Sequence, residues 1–244
     1  MIRLLSASRL LLAASATLGL AACDDPVVSI EGHTGVPLAK LAVSGNPISQ
    51  VTLLGSDTVR IVRGGTPGIQ VSGDPRAVDA LRFVLTDGKL GVGRKPDADV
   101  GGGTATVTIT TPSVDHLIMA GSGTISSERL DGPTVGVTIG GAGKVEVGAI
   151  TAGQLDVEVL GSGAFTGGGH ADKLALTLAG TGDADLSRLT AGRAQIDVAG
   201  TGTGSLSSDG KVTGSVVGTG TVTVHGKAQC KVSVTGTGSV ACQP

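Results

Sequence analysis

The chain has 244 residues, of which 42 are glycine, about 17% against the roughly 7% of an ordinary globular chain. It carries two Phe and no Trp or Tyr, with 40% hydrophobic and 16% charged residues; that much Val, Leu, Ile and Ala excludes charge-rich disorder, and nine prolines without Gly at every third position exclude collagen. A net charge of −2 lacks the basic excess that nucleic-acid binding requires.

Arg3 and Arg9 form a short positive region, and residues 10–22 are an uncharged run closed by small residues. Thirteen residues are too few for a membrane span of about 20, and the pattern is that of a secretory signal peptide over residues 1–22. The junction Leu20-Ala21-Ala22-Cys23 resembles a bacterial lipobox, which implies acylation of the Cys23 thiol, palmitate included, and a membrane anchor at the mature N-terminus. Ordinary cleavage near Ala22 is the alternative. Asp24 resembles an inner-membrane retention signal. Removing 22 of the 244 residues leaves 222, with a charge of −4, because the removed segment holds two Arg and no acid.

Residues 23–40, with Asp24, Asp25, Pro26 and Pro37, are expected to be a tether. Residues 41–111 are expected to be N-terminal β coils and a cap. Thr58-Val59-Arg60-Ile61-Val62 alternates, and Leu81 to Leu85, Asp87-Gly88 and Lys89-Leu90 predict a hairpin with an Asp-Gly turn. A helix is expected only around 75–81.

From residue 112 to 244 the chain repeats. A Gly-x-Gly triplet begins at Gly121, Gly141, Gly161, Gly180, Gly200, Gly218 and Gly236, so the steps are 18 to 20 residues, a period that means a solenoid or array. Two residues before each first glycine stand Met119, Ile139, Val159, Leu178, Val198, Val216 and Val234; four before stand Leu117, Val137, Val157, Leu176, Ile196, Gly214 and Val232. The residues between them are mostly polar, which is the alternation of a strand with one buried face. Four residues after the glycine the inward set resumes with Ile125, Val145, Phe165, Ala184, Gly204, Val222 and Val240. Each unit is a strand, a glycine turn, a strand and a return segment. One unit has nothing to bury its apolar face against, but stacked units give continuous columns. The fold class expected is all-β, a single-stranded-type parallel β-helix (β-solenoid) of about seven rungs. Neighbouring rungs lie about 4.8 Å apart, so six steps span roughly 29 Å.

The Thr-rich strand to Pro112, Leu117-Ile118-Met119 and the serial Gly-Ser-Gly or Gly-Thr-Gly turns resemble the head GIN domain over residues 41–242. That family consists of bacterial envelope proteins described as adhesin heads of autotransporters. The resemblance implies a β-solenoid with adhesin-like function and carries no active residues to map. No coiled-coil stalk or membrane barrel is expected after Gly236, so self-transport is not expected.

Of the three cysteines, Cys230 and Cys242 remain as a pair beside the lipidated Cys23, and an oxidising envelope favours a disulfide between them over two buried thiols. The loop is short, worth about 3 kcal/mol in the chain-entropy model. His33, His116, His170 and His225 are scattered, without metal-ligand spacing. No P-loop is present: at Gly143-Lys144 the residue five earlier is Thr138 and the next is Val145. Gly180-Thr181-Gly182-Asp183-Ala184-Asp185-Leu186 resembles a calcium β-roll repeat only superficially, the acid falling one position late. No Gly-x-Ser-x-Gly elbow occurs, and Asp115 and His116, as strand neighbours, are expected to face apart. A polysaccharide-acting β-helix enzyme would need clustered acids, and the outward row supplies only Glu158 and Asp197, with Thr177 between them.

No cofactor or metal is therefore expected, and no catalysis. Between the paired glycines stand Ser122, Ala142, Ser162, Thr181, Thr201, Thr219 and Thr237. Six of the seven carry a hydroxyl, which predicts a ladder along one edge and a candidate ligand- or ice-binding face. Aromatic stacking on glycans is excluded by Phe83 and Phe165 being the only aromatics. The expectation is a non-catalytic envelope lipoprotein, adhesin-like, anchored through its N-terminal lipid at the outer membrane or the periplasmic face of the inner membrane. Its partner is an unidentified envelope, glycan or protein ligand. A periplasmic structural or regulatory scaffold is the alternative.

Overall fold

The computed structural model describes residues 29–30, 32–43 and 47–244; the signal segment, Cys23 and Asp24 lie outside the described residues. In chain order the elements are β1 (Ser29–Ile30), β2 (His33–Thr34), β3 (Gln50–Gly55), β4 (Thr58–Arg63), β5 (Gly68–Gly73), α1 (Pro75–Ala80), β6 (Leu81–Thr86), β7 (Lys89–Arg94), β8 (Ala105–Thr111) and β9 (His116–Gly121). There follow β10 (Thr124–Gly141), β11 (Lys144–Gly161), β12 (Ala164–Gly180), β13 (Asp183–Gly200), β14 (Thr203–Ser208), β15 (Lys211–Gly218), β16 (Thr221–His225), β17 (Gln229–Gly236) and β18 (Ser239–Gln243). From β9 onward every pairing is parallel and each strand meets the one a period later. This is a parallel β-solenoid of about six turns.

The shape of a coil follows from where alternation breaks. In β11 the buried residues are Val145 and Val147, then Ile150 and Ala152, then Leu155, Val157 and Val159. Strict period two would keep them all on one parity; the extra residues at 148–149 and 153–154, with the glycine turn, rotate the chain at three corners. Each such coil has three faces. Stacking in register aligns Val137, Val157, Leu176 and Ile196 in one buried column and Ile125, Val145, Phe165 and Ala184 in another. Each fully buried Val, Leu or Ile in such a column contributes about 1.5–3 kcal/mol. Phe165 fits because small residues surround it: Gly167 lies near its ring tip, and Ala184 and Gly204 follow in its column.

The uneven period has a local cause. The register slips between Val147 and Ile150, where β12 has one residue fewer, between Thr166 and Gly168, where β13 regains it, and between Leu186 and Thr190, where β14 omits three. All three slips fall at the short middle face. The two longer faces stay in register throughout, so shortening costs only middle-face burial, such as that of Leu189.

At the N-terminal end the coils are out of chain order. β3 and β4 form one rung beneath β9 and β10, while β7 and β8 form the rung below that. Residues 112–115 then step past the β3–β4 rung to reach β9. Antiparallel β6 on β7 and β5 on β8 cover the outer edges of that lowest rung. The Asp87-Gly88 turn of the β6–β7 hairpin has positive φ at both residues, as a two-residue hairpin turn demands. Helix α1 bridges β5 and β6. Asp74 caps it by accepting from the amides of Arg76 and Ala77 at 2.9 and 3.2 Å, Pro75 starts it, and Ala77 and Ala80 are buried. The stretch expected as a tether touches this cap: Val36 and Phe83 exchange backbone hydrogen bonds of 2.9 and 2.8 Å, and Leu38 packs on the core.

Candidate functional site

The glycine corners build one edge of the solenoid. Gly200 has φ +126°, and a Cβ there would lie 2.2 Å from the Gly180 carbonyl oxygen of the preceding rung. Only glycine tolerates both the dihedral and the approach. The reward is a backbone ladder in which the residue between the glycines donates to that carbonyl: Ser122 to Gly55, Ala142 to Gly121, Ser162 to Gly141, Thr181 to Gly161, Thr201 to Gly180, Thr219 to Gly200 and Thr237 to Gly218, all at 2.9–3.0 Å. Their side chains are exposed along the edge, and the Thr181 hydroxyl donates to the Ser162 hydroxyl at 2.9 Å.

An eighth corner begins this edge. Gly55 has φ +115° and pairs with Gly121, but the third position is Asp57 instead of glycine. Beneath it the chain makes the longer connection 95–104, which leaves room for a side chain. Asp57 is fully buried and accepts from Arg94 Nε at 2.8 Å, from an Arg94 terminal nitrogen at 2.6 Å and from the Ala105 amide at 2.8 Å. Arg94 also donates to the Gly103 carbonyl at 2.9 Å. The hydrogen bond to Asp57 raises the Arg94 pKa above its ordinary value, against a smaller opposing effect of burial. This pair locks the cap to the first turn.

The opposite end of the same face carries a different row. Seven residues before the first glycine of the last six triplets stand Thr134, Gln154, Lys173, Arg193, Lys211 and Gln229, aligned rung over rung. Lys173, Arg193 and Lys211 are exposed on consecutive rungs and, among the described residues, make no ion pair. With Gln154, Ala175, Gln195 and Thr213 they line a groove of about 350 Å³. The nearest acids on this face are engaged: Gln154 Nε2 donates to both Asp156 oxygens at 3.0 and 3.1 Å, and Asp197 accepts from Gln195 at 3.0 Å and Ser215 at 2.8 Å. Toward the glycine edge the face turns apolar, with Leu160 44% and Val217 51% exposed. The −2 and −4 positions reveal buried columns, so this row, at the far end of the face next to the corner where alternation breaks, is visible only when the alignment is carried to −7.

Other predicted residues fall as follows. Cys230 and Cys242 form a disulfide across the last coil, Cα to Cα 6.7 Å, at the inward positions of Val212 and Val224 in the rung before. Asp115 and His116 do not face apart: Asp115 precedes β9 in the link, where strand alternation does not apply, and its Oδ1 lies 2.8 Å from His116 Nδ1. Asp185 accepts from the hydroxyl and amide of Ser187 at 2.6 and 3.1 Å, which lowers its pKa, while Asp183 accepts from the Thr203 amide at 3.2 Å. Glu158 and Asp197 sit two rungs apart with Thr177 between them. No group of three or more His, Cys, Asp or Glu positioned for a metal occurs among the described residues, and no helix among them is long and apolar enough to cross a membrane.

Fold and edge together define a glycine-cornered parallel β-solenoid with an antiparallel N-terminal cap. The family described as "Putative auto-transporter adhesin, head GIN domain" matches residues 48–228, and the chain belongs to it. Its structure is similar to that of a "putative adhesin" from Bacteroides fragilis (TM-score 0.71, 19% identity, 81% of this chain and 93% of the other). It is also similar to a "putative lipid binding protein" from Parabacteroides distasonis (0.63, 18%, 83% and 94%) and a "putative adhesin" from Parabacteroides merdae (0.58, 16%, 83% and 94%). At these identities the likeness is one of fold. No curated protein matches the chain in sequence.

Proposed function

We propose that this protein is a non-catalytic lipoprotein of the bacterial envelope whose solenoid serves as an adhesin-like interaction surface. The observation that carries the reading is membership of the head GIN family across residues 48–228, whose description names an adhesin. The lipobox-like Leu20-Ala21-Ala22-Cys23 supports the anchor, because an acylated Cys23 would hold the domain at a membrane without a spanning helix. The outward rows carry hydroxyls, amides and a row of cations rather than clustered acids, which suits recognition better than acid–base chemistry. Asp24 supports a second reading, a scaffold held at the inner membrane.

The anchor is tested with Cys23→Ser in the producing bacterium. The wild-type protein should sediment with membranes and take up labelled palmitate, and the variant should do neither. A wild type that takes no label, or a variant that stays in the membrane pellet, overturns the lipoprotein assignment.

A further inference from the structure

We propose that the groove along Lys173, Arg193 and Lys211 binds an acidic polysaccharide strand lying parallel to the solenoid axis. The proposal deepens the interaction-surface reading and rests on it for its biological sense. Three cations stacked about 4.8 Å apart lie well inside the screening length of about 8 Å at physiological salt, so they repel one another. Some cations elsewhere on the surface pair with acids, as Arg129 does with Asp131 at 2.9 Å and Lys95 with Asp79 at 3.1 Å; what sets this row apart is that three of them stack on consecutive rungs. Here Asp172, next to Lys173, is taken by His170 at 3.2 Å. On a chain of net charge −2, an uncompensated row of this kind attracts an anion.

The surroundings select the kind of anion. Gln154 and Gln195 are held through their Nε2 atoms by Asp156 and Asp197, which leaves each amide oxygen as an acceptor beside the cations. Thr213 adds a hydroxyl to the wall. A ligand that is all acceptors, such as a phosphate chain, would leave those oxygens unmatched and would face the two carboxylates. A polysaccharide with one carboxylate per sugar supplies both parts: carboxylates for Lys173, Arg193 and Lys211, and hydroxyl donors for the glutamine and aspartate oxygens. Its repeat runs along the axis, as the row does. No aromatic platform is needed.

The test is isothermal titration of the purified full chain with oligogalacturonate, at two salt concentrations. Binding should weaken with salt, and an uncharged galactose oligomer of equal length should not bind. The combined variant Lys173→Gln, Arg193→Gln, Lys211→Gln should lose roughly tenfold or more in affinity, Arg193→Gln alone should lose part of that, and Lys144→Gln should match wild type. Oligogalacturonate should raise the melting temperature of wild type but not of the triple variant, whose exposed changes leave the fold intact. Absence of binding, equal binding by the triple variant, tighter binding of polyphosphate, or capture of phosphatidylglycerol vesicles through the same residues without uronate binding each overturns the proposal. Purified protein binds regardless of cellular orientation, so failure here leaves the interaction-surface reading standing.

Discussion

Gly200 and Gly202 stand in the same turn for different reasons. Gly200 is held at φ +126° with the Gly180 carbonyl against its Cα, whereas Gly202 has no such dihedral and is needed because a Cβ would lie 2.4 Å from the Gly182 carbonyl oxygen. The contrast with Asp57 supports this: the second glycine is dispensable where no tight turn lies beneath. Gly200→Val should therefore cost well over the roughly 1 kcal/mol typical of surface substitutions, whereas Thr201→Ala, exposed between the glycines, should cost less than about 0.5 kcal/mol. Urea unfolding of the two variants checks the pair, and equal costs contradict the stacked-corner account. This much was legible in the sequence, since a glycine repeating every 18 to 20 residues beside fixed apolar positions leaves little else to infer.

At the scale of elements, legibility depended on period. The two long faces carry several inward residues each, so Val137, Ile139 and Ile125 announce them. The middle face holds only Ile150 and Ala152 in β11 and passes for a return segment. The first turn escaped notice because Asp57 replaces the glycine that marks the others, and the Arg94 that explains it lies 37 residues away. The order of the lowest rungs was not legible either, because local pattern identifies strands and hairpins but not which rung a strand joins. The Asp57–Arg94 pair is the main polar commitment of the cap. Asp57→Ala strands a guanidinium that is only 18% exposed, together with the Ala105 amide, and should destabilise by about 3–5 kcal/mol. Stability in a solenoid is nearly a sum over neighbours, so hydrogen exchange should quicken across β6–β8 and leave β11–β13 protected. A loss below about 1 kcal/mol, or uniform deprotection, contradicts this assignment. At the other end the Cys230–Cys242 disulfide restrains the last coil; there the sequence was sufficient, since counting cysteines left one pair.

The whole molecule presents one edge of hydroxyls, one face that grades from a basic rim through acids and hydroxyls to a small apolar strip, and a cap at the N-terminal end. The hydroxyl edge was readable because it lies between the marker glycines. The basic groove was not, because it lies at the far end of the face from them and its meaning depends on three rungs being stacked. Under the proposed outward display of the solenoid from a lipid anchor, protease added to intact cells that carry a C-terminally tagged copy should remove the tag, with lysed cells as the control; a tag that survives until lysis contradicts surface display and assigns the protein to the periplasm.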